Sequence, residues 1–199
     1  MISFGAASPP KISERYLIPV LEQLLDQFPF VIISFHADNG SEYINQHVVK
    51  LLKKLLIELM KSRARHSNDN ALVESKNASI VRKHLGYSHI QQHWAPLVDQ
   101  FHQACLNPYI NYHRPCFFAV TKTNTKGKQV KTYSYEAMMT PFEKLKSLKD
   151  AHQCLELGVT MKELGAIAMV INDNEAARQL KGDKQQRFKT IAEQSSQAA

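Results

Sequence analysis

The run Phe30-Val31-Ile32-Ile33-Ser34-Phe35 constrains this chain more than any other stretch. It is β-branched and aromatic throughout except for one serine, which favours a buried strand. Asp38-Asn39-Gly40 follows it, so the strand is expected to end in a turn. On both sides the apolar period becomes helical. Upstream, Ile12, Tyr16, Leu17, Val20, Leu21, Leu24 and Leu25 share one helix face, with Ser13 as its cap and Pro19 inside the pattern. Downstream, 45–56 reads as an amphipathic helix that turns Val48, Val49, Leu52, Leu55 and Leu56 inward, and 57–60 as another short strand. Ser67-Asn68-Asp69-Asn70 then caps a helix over 71–85 that stops at Gly86. A further helix covers 94–112, with Pro96 tolerated in its first turn. Helix, strand, helix, strand, helix, helix is the order of an α/β core.

The remaining stretches read differently. Residues 1–11 are small or prolines without periodicity, and predict a loose arm. The core occupies 12–115. Residues 116–139 predict a basic β-hairpin, with strands over 117–122 and 129–135 around Asn124-Thr125-Lys126-Gly127. Residues 140–199 predict a helical C-terminal extension, starting at Thr140-Pro141-Phe142-Glu143 and continuing over 161–171 and 175–193.

Charge narrows the class of partner. The net charge is +7 and the sequence pI is about 9.3, which favours a polyanion, nucleic acid first among them. No apolar run is long enough for a membrane span, and the N-terminus lacks the pattern of a signal peptide. Cys105, Cys116 and Cys154 are an odd, widely spaced set, which argues against a disulfide framework and fits a reducing, cytoplasmic compartment. His102-x-x-Cys105 and His113-x-x-Cys116 have the residue types of a zinc site. Two of the four fall on a helix and only 7 residues separate the pairs, which weighs against zinc.

Asp38 ends a strand, and Glu74 lies in the first turn of a helix. Each has a plain structural reading, as a turn residue and as a carboxylate meeting a helix dipole. Their combination is more specific. Asp38-Asn39-Gly40-Ser41-Glu42-Tyr43, then Asn68-Asp69-Asn70-Ala71-Leu72-Val73-Glu74-Ser75, with 35 residues between Asp38 and Glu74, resembles the signature of the retroviral integrase and insertion-sequence transposase superfamily. Ser62-Arg63-Ala64-Arg65-His66-Ser67 and Arg82-Lys83-His84-Leu85-Gly86-Tyr87 look closer to the bacterial transposases. The resemblance implies a ribonuclease H-like fold, an Asp, Asp-35-Glu (DDE) triad and metal-dependent DNA strand transfer. Asp38 and Glu74 are then catalytic and metal-binding residues, with Mg²⁺ or Mn²⁺ as cofactor. Hard oxygen ligands suit those ions, and a pair of them stabilises both the attacking and the leaving oxygen.

The resemblance also implies a first Asp, on the first strand of the fold. Only 37 residues precede Asp38, and their acids, Glu14, Glu22 and Asp26, all fall within the expected helix. The expectation is therefore a partial, N-terminally truncated core without its first strands, inactive alone. An upstream polypeptide could supply the missing strands and Asp, and a homo-oligomer on DNA is the expected working form. The alternative is a non-catalytic nucleic-acid-binding or regulatory protein derived from a transposase.

Arg63, Arg65, Asn70, Asn77, Arg82 and Lys83 are the candidate DNA-binding residues. Residues 61–84 carry Lys61, Arg63, Arg65, Lys76, Arg82 and Lys83 against Asp69 and Glu74, which suits a phosphate-facing surface. Asn77 and Val81 lie near the Glu74 side of their helix, Arg82 on its flank and Lys83 roughly opposite. The position seven after the Glu, basic in many transposases, is Val81 here, a departure from the pattern. The lysines over 121–149, with Tyr133 and Tyr135 among them, read as phosphate-positioning contacts or as solvated surface.

Overall fold

The structure is a computed structural model, which describes residues 4–11, 13–37, 46–61 and 77–197. It is mixed α/β. Helix α1 (Glu14–Asp26) leads into strand β1 (Ser34–Ala37), helix α2 (Gln46–Lys54) and strand β2 (Glu58–Lys61). The two strands pair in parallel, Ser34 opposite Glu58 and Ala37 opposite Lys61, so α2 is the crossover of a β–α–β unit. Apolar residues four apart hold it together. Leu17 and Leu21 of α1 meet Val48 and Leu52 of α2 and Ile57, with Ile32, Phe35 and Leu59 around them.

Two expectations shift here. The strand begins at Ser34, because the preceding backbone pairs elsewhere: Val31 N–H donates to Cys154 O at 2.9 Å, and Glu156 N–H to Pro29 O at 3.0 Å. The apolar run is also buried on one face only, with Ile33 76% exposed while Ile32 packs inward. Helix α2 stops at Lys54, so Leu55 and Leu56 lie past its buried stripe and are exposed.

A second core lies among three helices. The described part of α3 covers 77–85, wound in wide i→i+5 turns over Asn77–Arg82 and regularly over Lys83–Leu85, and Gly86 ends it at φ 80°. Helix α4 covers 95–113, regular over Ala95–Phe101 and wide-turned over His102–Leu106 and Tyr109–His113. Ile80, Phe101, Leu106 and Ile110 pack with Leu180 of the last helix, Asp173–Gln197, named α7 below.

The arm docks on α4. Phe4 N–H donates to Asn111 Oδ1 at 2.8 Å, and Asn111 Nδ2 donates to Phe4 O at 2.7 Å. Ala6 makes the same reciprocal pair with Asn107, at 2.9 and 3.1 Å, and Ser8 N–H reaches Asp99 at 3.1 Å. Two carboxamides four residues apart thus offer the arm the donors and acceptors of a strand edge. Gly5 sits between them against α1, where a Cβ would stand 2.7 Å from the Phe28 ring.

After α4, short strand β3 (Cys116–Phe117) pairs with β6 (Met138–Met139), and between them β4 (Val120–Thr123) pairs antiparallel with β5 (Gln129–Thr132). Helices α5 (Pro141–Lys146) and α6 (Met161–Ala168) follow, each opened by a capping box, Thr140 with Glu143 and Thr160 with Glu163. Among the described residues no helix is long and apolar enough to cross a membrane.

Candidate nucleic-acid interface

Asp38, Glu74, Arg63, Arg65 and Asn70 lie outside the described residues. The chain reaches Asp38 one residue after β1 ends at Ala37, and reaches Glu74 three residues before the described part of α3 begins at Asn77. Arg82 and Lys83 are exposed near the C-terminal end of α3. The Arg82 guanidinium lies 5.8 Å from the centre of the Tyr87 ring, a cation–π contact that restrains it beside the turn at Gly86.

His84 shows what surrounds these cations. Burial, then the charges of Arg114, Lys184 and Lys83, pull its imidazole from the usual range down to about 4, so it is neutral at pH 7. Its Nε2 is covered and has no hydrogen-bond partner. Arg114 caps the C-terminus of α4, and Lys184 stands in the middle of α7. Sequence reading singled out Lys83 here but not His84, Arg114 or Lys184. Their one signal is that each stands four residues past a core residue, Ile80, Ile110 and Leu180, a coincidence that means nothing until the three helices are known to pack together.

The hairpin is the second basic element. In the register Val120↔Thr132, Thr121↔Lys131, Lys122↔Val130 and Thr123↔Gln129, every residue of β4 is exposed. Asn124 Oδ1 accepts from Lys126 N–H at 3.0 Å and Lys128 N–H at 2.9 Å, and Gly127 adopts φ 74°, which closes the loop. Lys122, Lys126, Lys128 and Lys131 therefore ride on a ribbon that stands clear of both cores. A Phe117–Tyr135 edge contact at 5.3 Å anchors its base.

The four zinc-type residues have separate engagements. His102 Nδ1 lies 3.4 Å from Ser8 Oγ, Cys105 Sγ donates to Asp183 at 2.6 Å, and His113 pairs with Asp173 at 3.0 Å. Burial first and then Asp183 push the Cys105 thiol up to about 12, which leaves it protonated and inert. Among the described residues, no three His, Cys, Asp or Glu side chains form a group that could hold a metal.

Comparison with known proteins adds one sequence relative. The chain is 32% identical over 117 residues to the uncharacterized protein y4rM of Sinorhizobium fredii, a match that covers 59% of this chain and 33% of that protein. The match thus spans about a third of the relative's length. No family model matches the chain, and no solved structure matches it.

Proposed function

We propose that this chain carries part of a ribonuclease H-like catalytic core of the transposase and integrase type, whose parent activity is metal-dependent DNA strand transfer. The observation that carries the reading is the place of Asp38 in the chain. It follows directly on a strand that pairs in parallel with the next through a helical crossover, and 35 residues separate it from Glu74. In open α/β sheets, reactive groups gather beyond the carboxyl ends of the strands. The described elements also keep the expected order, helix, strand, helix, strand, helix, helix.

Asp38 and Glu74 offer hard carboxylate oxygens, which fit Mg²⁺ or Mn²⁺ and would be the residues to hold it. When bound, such a metal offsets charge on the attacking and leaving oxygens of a phosphodiester. Arg82, Lys83 and the hairpin lysines serve to hold the DNA backbone in register. Two parallel strands are a marginal sheet, and parallel sheets are normally covered on both faces. The exposed Ile33 marks where further strands belong, and a polypeptide that brings them would bring the first Asp as well. These 199 residues are accordingly inactive alone.

The test is nicking or strand transfer by the purified chain with Mn²⁺. No turnover is expected, and turnover abolished by Asp38→Ala would defeat the claim of inactivity. Calorimetric titration with Mn²⁺ tests the site itself: binding should weaken at least about tenfold in Asp38→Ala and in Glu74→Ala, and unaltered binding in both sinks the catalytic reading. The solvated, lysine-bearing hairpin supports a second reading, a non-catalytic nucleic-acid-binding protein. Salt-dependent DNA binding combined with metal binding indifferent to both carboxylates would favour it.

A further inference from the structure

Ile80, Ile110 and Leu180 meet in the second core, one each from α3, α4 and α7. Four residues beyond each stand His84, Arg114 and Lys184. A step of four returns to about the same face one turn along. The packing that joins the three apolar side chains therefore delivers three nitrogen-bearing side chains to one rim, where Lys83 joins them. Electrostatics agree with this placement, since the charges of Arg114, Lys184 and Lys83 all reach His84.

This cluster is short of negative charge. Among the described residues, no carboxylate forms an ion pair with Lys83, Arg114 or Lys184. Two carboxylates of α7 are engaged elsewhere, Asp183 by the Cys105 thiol and Asp173 by His113. Lys83 and Arg114, at the C-terminal ends of their helices, can be explained by the helix dipole alone. Lys184, in mid-helix, cannot, and nor can the covered, unpartnered Nε2 of His84.

We propose that the junction of α3, α4 and α7 is a binding site for a phosphate group, held by Arg114, Lys83 and Lys184 beside His84, with the DNA backbone as its source. Arg114 offers the planar fork that matches two phosphate oxygens, and the lysines add point charge. The site stands independently of Asp38 and Glu74. Only the choice of DNA as source rests on the nucleic-acid reading above.

The test uses the whole chain. Histidine ring resonances, with His84 assigned through His84→Asn, are followed at pH 7 during titration with a short DNA duplex and, separately, with inorganic phosphate. DNA affinity is then measured across a salt series for Arg114→Gln, Lys184→Gln and, as a charge-matched control on α6, Lys162→Gln. The His84 signals should move saturably with the duplex. The slope of log affinity against log salt should become shallower by about 0.9 for each phosphate contact removed in the first two variants, and stay unchanged in the third. Movement with phosphate but not with duplex keeps the anion site and overturns DNA as its source. DNA binding that leaves His84 unmoved overturns the site while sparing the function proposed above. So does an equal change of slope in the Lys162 variant. Because the resonance titration uses the wild-type chain, misfolding of Arg114→Gln does not rescue the idea.

Discussion

The two cores of this protein are built from equally ordinary residues and finished to different degrees. In the first, α1 and α2 cover one face of a two-stranded parallel sheet, and Ile33, Leu55 and Leu56 face solvent. In the second, α3, α4 and α7 enclose Phe101, Leu106 and Ile80, each at most 2% exposed, and the arm is bonded across α4 by Asn107 and Asn111. Three helices can close an apolar centre with side chains alone. A parallel pair of strands cannot, because its edges and second face need further elements. The difference marks the first core as a surface to be completed and the second as the body that holds the basic groups.

Truncation is the strongest way to break the comparison. Phe101→Ala should cost about 3–5 kcal/mol, since it empties the centre on which α3, α7 and the arm all rest. Urea unfolding reads the loss, and a midpoint within error of wild type would show that the second core is no tighter than the first.

Acid comes next. Burial pulls His102, 2% exposed, down to about 4, below its unfolded value near 6.5. Between those pH values the unfolded chain binds the extra proton and the folded one does not. The contribution is therefore fully present above pH 6.5 and is lost as pH falls toward 4, about 3 kcal/mol at the limit. His84 titrates in the same window and is more exposed, so it contributes less. Stability measured from pH 7 to pH 4 should fall, and His102→Gln should flatten the slope. An undiminished slope in that variant would mean that acid acts elsewhere.

The smallest effect belongs to the first core. Ile33→Thr removes a residue 76% exposed and should alter stability by no more than about 0.5 kcal/mol. A loss of 2 kcal/mol or more would show that the uncovered face is in fact packed, and would weaken the argument for a partner bringing strands.

Much of the local structure was legible in the sequence. Gly86 and Gly127 stand at positive φ where the stop of α3 and the hairpin loop were expected, and the start of α5 at Thr140 is a capping box. Thr160-x-x-Glu163 is the same signal one helix later, available in the sequence and overlooked. The helix ending at Gly86 and the Asn124–Gly127 turn follow from backbone sterics, which operate over a few residues. Asp38 and Glu74 were legible only as a pattern of spacing, and both lie outside the described residues.

What the sequence determined by itself was therefore local: periods, caps, turns and the sign of the charge. Tertiary structure decided the rest. The arm has no periodicity of its own, because the carboxamides that hold it belong to Asn107 and Asn111, about a hundred residues away in the chain. Ile33 belongs to an apolar run and is nonetheless exposed, because burial depends on what covers a face and not on the residue in it. His84, Arg114 and Lys184 are scattered in the sequence and meet only because Ile80, Ile110 and Leu180 pack together. Long-range contacts of this kind arise from the shape of the assembled core, which no stretch of neighbouring residues encodes.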